Sequence, residues 1–346
     1  MRRREFLTGA AALTLAAAND GTGTAASPSP GPRVMTVKGW IAAERMGLTL
    51  AHEHALANFS GYNTWTHRPH PYDEREVSEA VLPRLLRLRD LGVRTFVDAT
   101  ATFLGRDPAL LADLSERSGL NILTVTGNYA AFDNRFLPPW AFTDTPEQLA
   151  ARWIAEWDHG IEGTSIRPGF IKLGFNGGPL SPVERTLIAA GAAAHLKTGL
   201  TIGAHTGPAV SAFAQLAMLE QAGVHPSAWI WIHAQNEKDP AYHVEAGRRG
   251  AWVEFDGIDP ATIEQHVALV ARMRDAGLLH RVLISQDAGW YSVGEPHGGT
   301  AGRSYETMFT HFIPALRARG FGDREIEALL VHNPARAFAV AVRRAS

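Results

Sequence analysis

The chain has no cysteine. That excludes disulfide staples, thiol nucleophiles and thiolate metal ligands together, so any metal is held through nitrogen and oxygen. Charge of one sign is also missing. Lys and Arg number 33 against 35 Asp and Glu, for a formal net charge of -2. The basic residues are dispersed, which removes the electrostatic case for nucleic acid or an anionic membrane as partner. Arg84-Leu-Leu-Arg-Leu-Arg89 reads as the solvated face of a helix. The apolar, Ala-rich stretch that ends at Ala18 is too short to cross a bilayer. No glycine-rich phosphate loop follows the first apolar run of the main body, which argues against a doubly wound nucleotide-binding sheet.

What is present is 346 residues, 45% apolar and 20% charged. That is enough to bury a full core without staples and lies within the span of one α/β barrel. Residues 1–32 read as separate from this fold. Arg2-Arg-Arg-Glu-Phe-Leu-Thr8 precedes the Ala-rich stretch, and a segment rich in Gly, Pro, Ser and Thr covers 19–32. A charged start, a short apolar stretch and small residues describe an export signal. Arg3-Arg4-x-Phe6-Leu7 resembles the twin-arginine signal, which an export system for folded proteins reads. Cleavage after Ala18 or after Ala26 fits this pattern. The mature protein is therefore expected in the periplasm or outside the cell, with 33–346 as one domain.

That domain opens on a hairpin expected over Arg33-Val-Met-Thr-Val-Lys38 and Trp40-Ile-Ala-Ala43, covering a barrel floor. Short apolar runs then begin near Leu48, Val93, Leu120, Phe170, Leu200, Trp229, Ala251 and Val282. Helical periodicity fills 77–90, 108–118, 146–158, 182–198, 209–222, 240–249, 260–276 and 304–319. Continuous apolar strands alternating with amphipathic helices describe a parallel sheet covered on its outer face. Eight such units predict a (β/α)8 barrel. Ser181-Pro182 and Asp259-Pro260 read as helix starts. Gly92, Gly119, Gly199, Gly223, Gly250 and Gly277 each stand just past a helix. A last helix is expected over 323–339.

Six residues end or interrupt apolar runs where a barrel would gather them on one face. His52 and His54 lie two apart in Leu48-Thr-Leu-Ala-His-Glu-His54 and so point the same way along a strand. His205 ends Leu200-Thr-Ile-Gly-Ala-His205, and His233 ends Trp229-Ile-Trp-Ile-His233. Imidazoles brought together in this way can chelate a divalent ion. Lys172 lies inside Gly169-Phe-Ile-Lys-Leu-Gly174, where an ammonium is costly unless it is neutralised or paired. Two readings stand for it: a neutral amine that takes up carbon dioxide to become a bridging carbamate, or an ion pair with Asp287 or another carboxylate. Asp287 ends Val282-Leu-Ile-Ser-Gln-Asp287 and can bind metal and accept a proton from water, or cap the turn that follows.

This order of residues resembles the phosphotriesterase family of the amidohydrolase superfamily: HxH after strand 1, Lys after strand 4, His after strands 5 and 6, Asp after strand 8. His332-Asn-Pro-Ala-Arg-Ala-Phe338 resembles the family's C-terminal helix. The resemblance implies one metal on His52, His54 and Asp287 and a second on His205 and His233. Carboxylated Lys172 and a hydroxide would bridge them. Zinc is the default for such a site; manganese, cobalt or iron also fit. A homodimer is implied as well.

For substrate, Thr126-Gly-Asn-Tyr129 resembles the Thr-Gly-x-Tyr of the family's lactonases, which implies that Tyr129 reaches toward the metals. The phosphotriester hydrolases carry a His after the strand-7 Asp and an Asp three residues past the strand-6 His; here Gly257 and Asn236 stand there. The lactonases' arginine after the same Asp is also replaced by Gly257. The expectation is hydrolysis of a carboxylic ester or lactone by the bridging hydroxide, with Asp287 as proton acceptor. Phosphotriester or amide hydrolysis on the same centre, or an exported metal- or ligand-binding barrel without turnover, are the alternatives. Loop residues Tyr62, Trp65, His67, Trp290, Tyr291, Glu295, His297 and Arg303 are expected to shape a partly apolar pocket. Glu254 and Asp256 stand near strand 7, where they could bind a sugar hydroxyl or an amine.

Overall fold

Residues 31–59, 72–299 and 304–345 are described in the computed structural model. The expected signal and linker therefore lie outside the described residues except for Gly31 and Pro32. Tyr62, Trp65, His67 and Arg303 also fall outside them.

The chain enters on the expected hairpin, β1 (Arg33–Thr36) antiparallel to β2 (Gly39–Ala42). The apolar runs then become β3 (Thr49–Glu53), β4 (Leu56–Ala57), β5 (Thr95–Asp98), β6 (Asn121–Leu123), β7 (Val125–Thr126), β8 (Phe170–Gly174), β9 (Ile202–His205), β10 (Trp229–Ile232), β11 (Trp252–Phe255), β12 (Val282–Ile284) and β13 (Tyr291–Ser292). Between them run α1 (Glu74–Asp90), α2 (Pro108–Ser118), α3 (Pro146–His159), α4 (Pro182–Thr198), α5 (Ala209–Gln221), α6 (Ala241–Arg248) and α7 (Ile263–Asp275). After β13 come α8 (Ile313–Ala318), α9 (Asp323–Glu327) and α10 (Asn333–Ala337).

The barrel strands run parallel, in the orders β12-β11-β10-β9-β8-β7 and β3-β5-β6. Only Thr124 separates β6 from β7, so one strand passes from one sheet into the other. At the remaining seam β3 and β12 share no ladder. Backbone bonds displaced past the end of β12 join them instead: Asp287 N to His52 O at 3.0 Å and His54 N to Ala288 O at 3.2 Å. The short parallel pair β4–β13 continues that seam. The architecture is a (β/α)8 barrel whose hydrogen bonding is interrupted at these two places.

Side chains alternate along each strand. Leu50, Phe96, Ile171, Ile202, Trp229, Trp231 and Val253 join the large core beneath the helices. Ala51, Val97, Phe170, Ile230, Ile232, Trp252 and Leu283 fill the barrel's inside, together with Val34 and Met46 from the floor. Period-two alternation therefore carries Lys172 and His205 inward. Strand β3 needs a correction to that parity. Leu50 pairs with Phe96 but Glu53 pairs with Asp98, so β3 holds one extra residue. The bulge lets both Ala51 and His52 face inward and turns Glu53 toward the seam.

Ser181 starts α4 as expected, in a reciprocal capping box with Glu184. Asp259-Pro260 does not start a helix: Asp259 Oδ1 accepts from Ala261 N in a tight turn, and α7 begins at Ile263. The helices expected over 304–319 and 323–339 are each interrupted by a π-turn, at Met308–Phe312 and at Ala328–His332. The C-terminal motif closes the floor. Asn333 Nδ2 donates to Leu279 O and Val282 O, both at 2.8 Å, and the Phe338 ring meets Phe170 at 5.2 Å. Among the described residues no helix is long and apolar enough to cross a membrane.

Candidate metal centre

All six residues singled out as ligands converge at the C-terminal ends of the strands. The imidazole centroids form a chain: His205 to His233 at 4.2 Å, His233 to His52 at 5.3 Å, His52 to His54 at 5.4 Å. Lys172 Nζ stands 3.2 Å from His52 Nε2, and Asp287 Oδ1 stands 2.9 Å from His54 Nε2. His233 and Asp287 both take left-handed backbone, φ 63° and 49°. Non-glycine residues pay for that conformation, and it concentrates at functional sites.

Three imidazoles are turned by a partner on Nδ1 so that Nε2 faces the shared centre. His52 Nδ1 donates to Glu254 Oε1 at 2.7 Å. His233 Nδ1 donates to Asp256 Oδ1. His54 Nδ1 meets Thr100 Oγ1 at 2.7 Å. Because that hydroxyl donates its own proton to Leu56 O, it accepts from His54. This is the usual way a metal-binding imidazole has its tautomer and orientation set. Glu254 and Asp256 are therefore not open to a substrate, contrary to the expectation from sequence. Both are buried behind the histidines, two residues apart on one face of β11 and its end.

The electrostatics suit a cation. Burial, then Lys172, holds His52 well below the usual imidazole range; burial, then His233, does the same to His205. Neutral imidazoles are the ligating form. Burial opposes ionisation of Asp287, but the His54 hydrogen bond and the nearby His52 hold its carboxyl below the ordinary range. Burial also opposes ionisation of Asp256, and His233 outweighs it. Glu254 is pushed up by burial and then by Asp256, so the buried pair has a surplus of negative potential that a nearby cation would offset. Burial lowers Lys172, and among the described residues no carboxylate reaches it within ion-pair distance. The ion pair with Asp287 is therefore not formed. A set of imidazole nitrogens and one carboxylate, beside an amine whose pKa burial lowers, with no sulfur, fits divalent metal. His52, His54 and Asp287 present ligand atoms close enough to share one ion, and so do His233, Asp256 and Asp287.

Tyr129 stands beside this centre, its hydroxyl 2.7 Å from His205 Nδ1. Gly174 makes room for it: a Cβ there would lie 2.4 Å from the tyrosine ring. Above the ligands is a cavity of about 160 Å³ whose further walls are Ala57, Phe59, Ala99, Leu104, Phe132 and Trp290. Of the loop residues proposed from sequence, Trp290 reaches it. Tyr291 is engaged in pairing with Leu56, and His297 is exposed beside Glu76. Phe59, Leu104 and Phe132 belong to irregular loops, where no periodic pattern marks them in advance. Thr100 is likewise silent in the sequence.

A model of the phosphotriesterase family matches residues 32–338. A phosphotriesterase homology protein of Escherichia coli (strain K12) is 31% identical, over 84% of this chain and 98% of its own length. An aryldialkylphosphatase of Saccharolobus solfataricus is 26% identical over 86% of this chain and 96% of its own. An N-acetyltaurine hydrolase of Mus musculus is also 26% identical, over 87% and 96%. With the match running from the floor hairpin to Phe338, and the strand-end residues in the family's order, the chain belongs to the phosphotriesterase family.

Proposed function

We propose that the chain is a binuclear metal-dependent hydrolase of uncharged carboxylic esters or lactones. The observation that carries this reading is the convergence of Lys172, Asp287 and four imidazoles beneath an otherwise apolar cavity. In this reading His52, His54 and Asp287 would hold one divalent ion, His205 and His233 would hold the other, and Lys172 would lie between the two sets. Burial lowers the pKa of Lys172, and in its neutral form the amine can add through Nζ to the carbon of carbon dioxide. The nitrogen then loses a proton and an anionic carbamate remains. Zinc is the first candidate, with manganese, cobalt and iron next.

When bound, the metals supply a hydroxide near neutral pH and polarise the substrate oxygen. The protein's own groups do the rest. Asp287 is ionised in the folded state, so its carboxylate takes up the proton released during attack and returns it to the leaving oxygen. Tyr129 keeps its proton, since burial and then Asp287 raise its pKa well above the ordinary phenol value. It therefore serves as a hydrogen-bond donor to the substrate carbonyl. Phe59, Leu104, Phe132 and Trp290 exclude water from the attacked carbon and favour an apolar acyl group.

Amide hydrolysis is the second reading, favoured by relatives named N-acetyltaurine hydrolase. Against it, the described cavity wall offers no guanidinium or free ammonium for a sulfonate. Rates on an aryl ester, a lactone, N-acetyltaurine and a phosphotriester decide between them. The ester or lactone is expected to lead by at least tenfold in kcat/KM. A lead by N-acetyltaurine would replace this reading, and a metal-loaded protein inert on all four would favour a binding barrel. Export by the twin-arginine-like segment is proposed separately; retention of the full chain in the cytoplasm on fractionation would remove it.

A further inference from the structure

A second cavity, of about 230 Å³, lies at the opposite end of the barrel, lined by Ser227, Trp252, His280, Arg281, Arg336 and Arg343. Ser227 precedes β10, Trp252 opens β11, and His280 and Arg281 precede β12. Arg336 comes from α10, in the Asn333-Pro-Ala-Arg336 motif that the catalytic reading leaves unused, and Arg343 from the segment that follows. The catalytic residues sit at the other ends of these same strands.

Three arginines and a histidine line this space, and among the described residues no carboxylate does. Among the described residues none of the three arginines has an acidic partner. Arg343 is fixed by neutral acceptors: Nη1 donates to Thr201 Oγ1 at 2.8 Å and Ser227 O at 3.1 Å, and Nη2 to Ala339 O at 2.6 Å. Its charge is thus positioned without being offset. Arg281 lies over the Trp252 ring, 5.4 Å from its centroid. Among the described residues the Arg281 and Arg336 guanidinium groups donate no hydrogen bond. Burial and then Arg336 lower the pKa of Arg281, and burial and then Arg281 bring Arg343 down to about 10. Like charges gathered in a partly desolvated space disfavour the fold unless an anion joins them.

We propose that this floor cavity binds a small phosphate-type oxyanion, which ties the C-terminal segment to the turn before β12. One guanidinium fork satisfies a carboxylate, whereas a tetrahedral dianion has oxygens enough for the forks of both Arg281 and Arg336, with the Arg343 charge held beside them by its neutral acceptors. The cavity also leaves room for a second phosphoryl group or a short organic substituent.

The test is calorimetric titration of the full chain with inorganic phosphate, pyrophosphate and glycerol 3-phosphate, at ionic strength held constant with chloride. Saturable binding of at least one of them, with a rise in Tm, is expected. The Arg281→Ala/Arg336→Ala double variant should lose at least tenfold in affinity while ester hydrolysis is unchanged. Should that variant fail to fold, Arg336→Gln reads the same loss from an exposed side chain. Phosphate also ligates divalent metals, so binding that persists undiminished in these variants belongs to the catalytic mouth and overturns the proposal. Absence of anion-specific binding in the parent overturns it as well.

Discussion

The two halves of the candidate metal centre are held by different means. His205 lies on an unbroken ladder, paired in register with Gly174 on one side and Ile232 on the other. His233 follows directly on Ile232. Backbone pairing fixes where the His205 imidazole leaves the sheet; His233, one residue past the ladder, is held there by its backbone N donating to Asp256 Oδ2 at 2.9 Å. His52, His54 and Asp287 instead straddle the β3–β12 seam, where the ladder is missing. Side chains take its place there. The buried Glu53 carboxyl, its pKa pushed up to about 8 by burial, accepts from Ser285 Oγ, Gln286 N, Gln286 Nε2 and Ala288 N. Ser285 Oγ in turn accepts from His52 N at 2.9 Å. Candidate ligands are thus positioned by a sheet or by a buried carboxyl that stands in for one. The second arrangement concentrates the dependence on a single residue.

Lys172 belongs to neither half and is the largest lever. Lys172→Ala should strip both ions and reduce hydrolysis by on the order of 10³-fold or more. Elemental analysis of protein expressed with bicarbonate checks this. About two ions are expected in the parent, with partial rescue of the variant by a short carboxylic acid. Retention of both ions by the variant would refute the joining role.

Glu53→Gln separates the halves. It exchanges an acceptor of four hydrogen bonds for an amide whose NH2 must face a donor, so the fold should lose about 1–3 kcal/mol. Loss of one ion to a chelator should come earlier than in the parent, while the second dissociates as before. Two ions lost together would show that the seam and the ladder are one cooperative unit.

Smaller effects are expected from the residues that turn the imidazoles. Asp256→Asn acts on His233 and Thr100→Val on His54, each with about 10- to 100-fold weaker binding of one ion. Competition with a graded series of chelators measures this. The two substitutions should act on different ions; equal effects on both would mean the assignment of ligands to halves is wrong.

The same contrast explains what the sequence discloses. Strand starts at Thr49, Phe170, Trp229 and Val282 stand within a residue of the expected positions, because buried runs and helical periods are local properties. His205 and His233 are legible for that reason. The seam is not, since it depends on how residues more than 230 apart in sequence meet, as His52 and Ser285 do. Glu53 shows only as the residue between two histidines, and the bulge that turns it outward has no local mark. Glu254 and Asp256 have the inward parity of ligands. Parity cannot tell a group at the surface of the mouth from one buried beneath the imidazoles, so their work on His52 and His233 emerges only with the coordinates. The start of α7 moves from Pro260 to Ile263 because Asp259 turns back on Ala261, a competition between a turn and a cap that the Asp-Pro pair alone leaves open.

The smallest expected effect tests whether the apolar wall belongs to binding or only to packing. Trp290 approaches His54 edge-on at 5.7 Å and Phe59 at 6.2 Å, so it stands on the seam side of the mouth. Phe132 stands on the ladder side, tilted against His205 at 6.3 Å and 44% exposed. An aromatic ring that is nearly half in solvent contributes less to stability than a core one, yet it can still cover a substrate's apolar portion. Trp290→Ala and Phe132→Ala are each expected to raise KM about fivefold, near 1 kcal/mol of lost contact, with kcat nearly unchanged. If Trp290→Ala also lowers kcat while Phe132→Ala does not, the seam side carries more than binding: it keeps His54 and Asp287 in line, as its missing ladder would require.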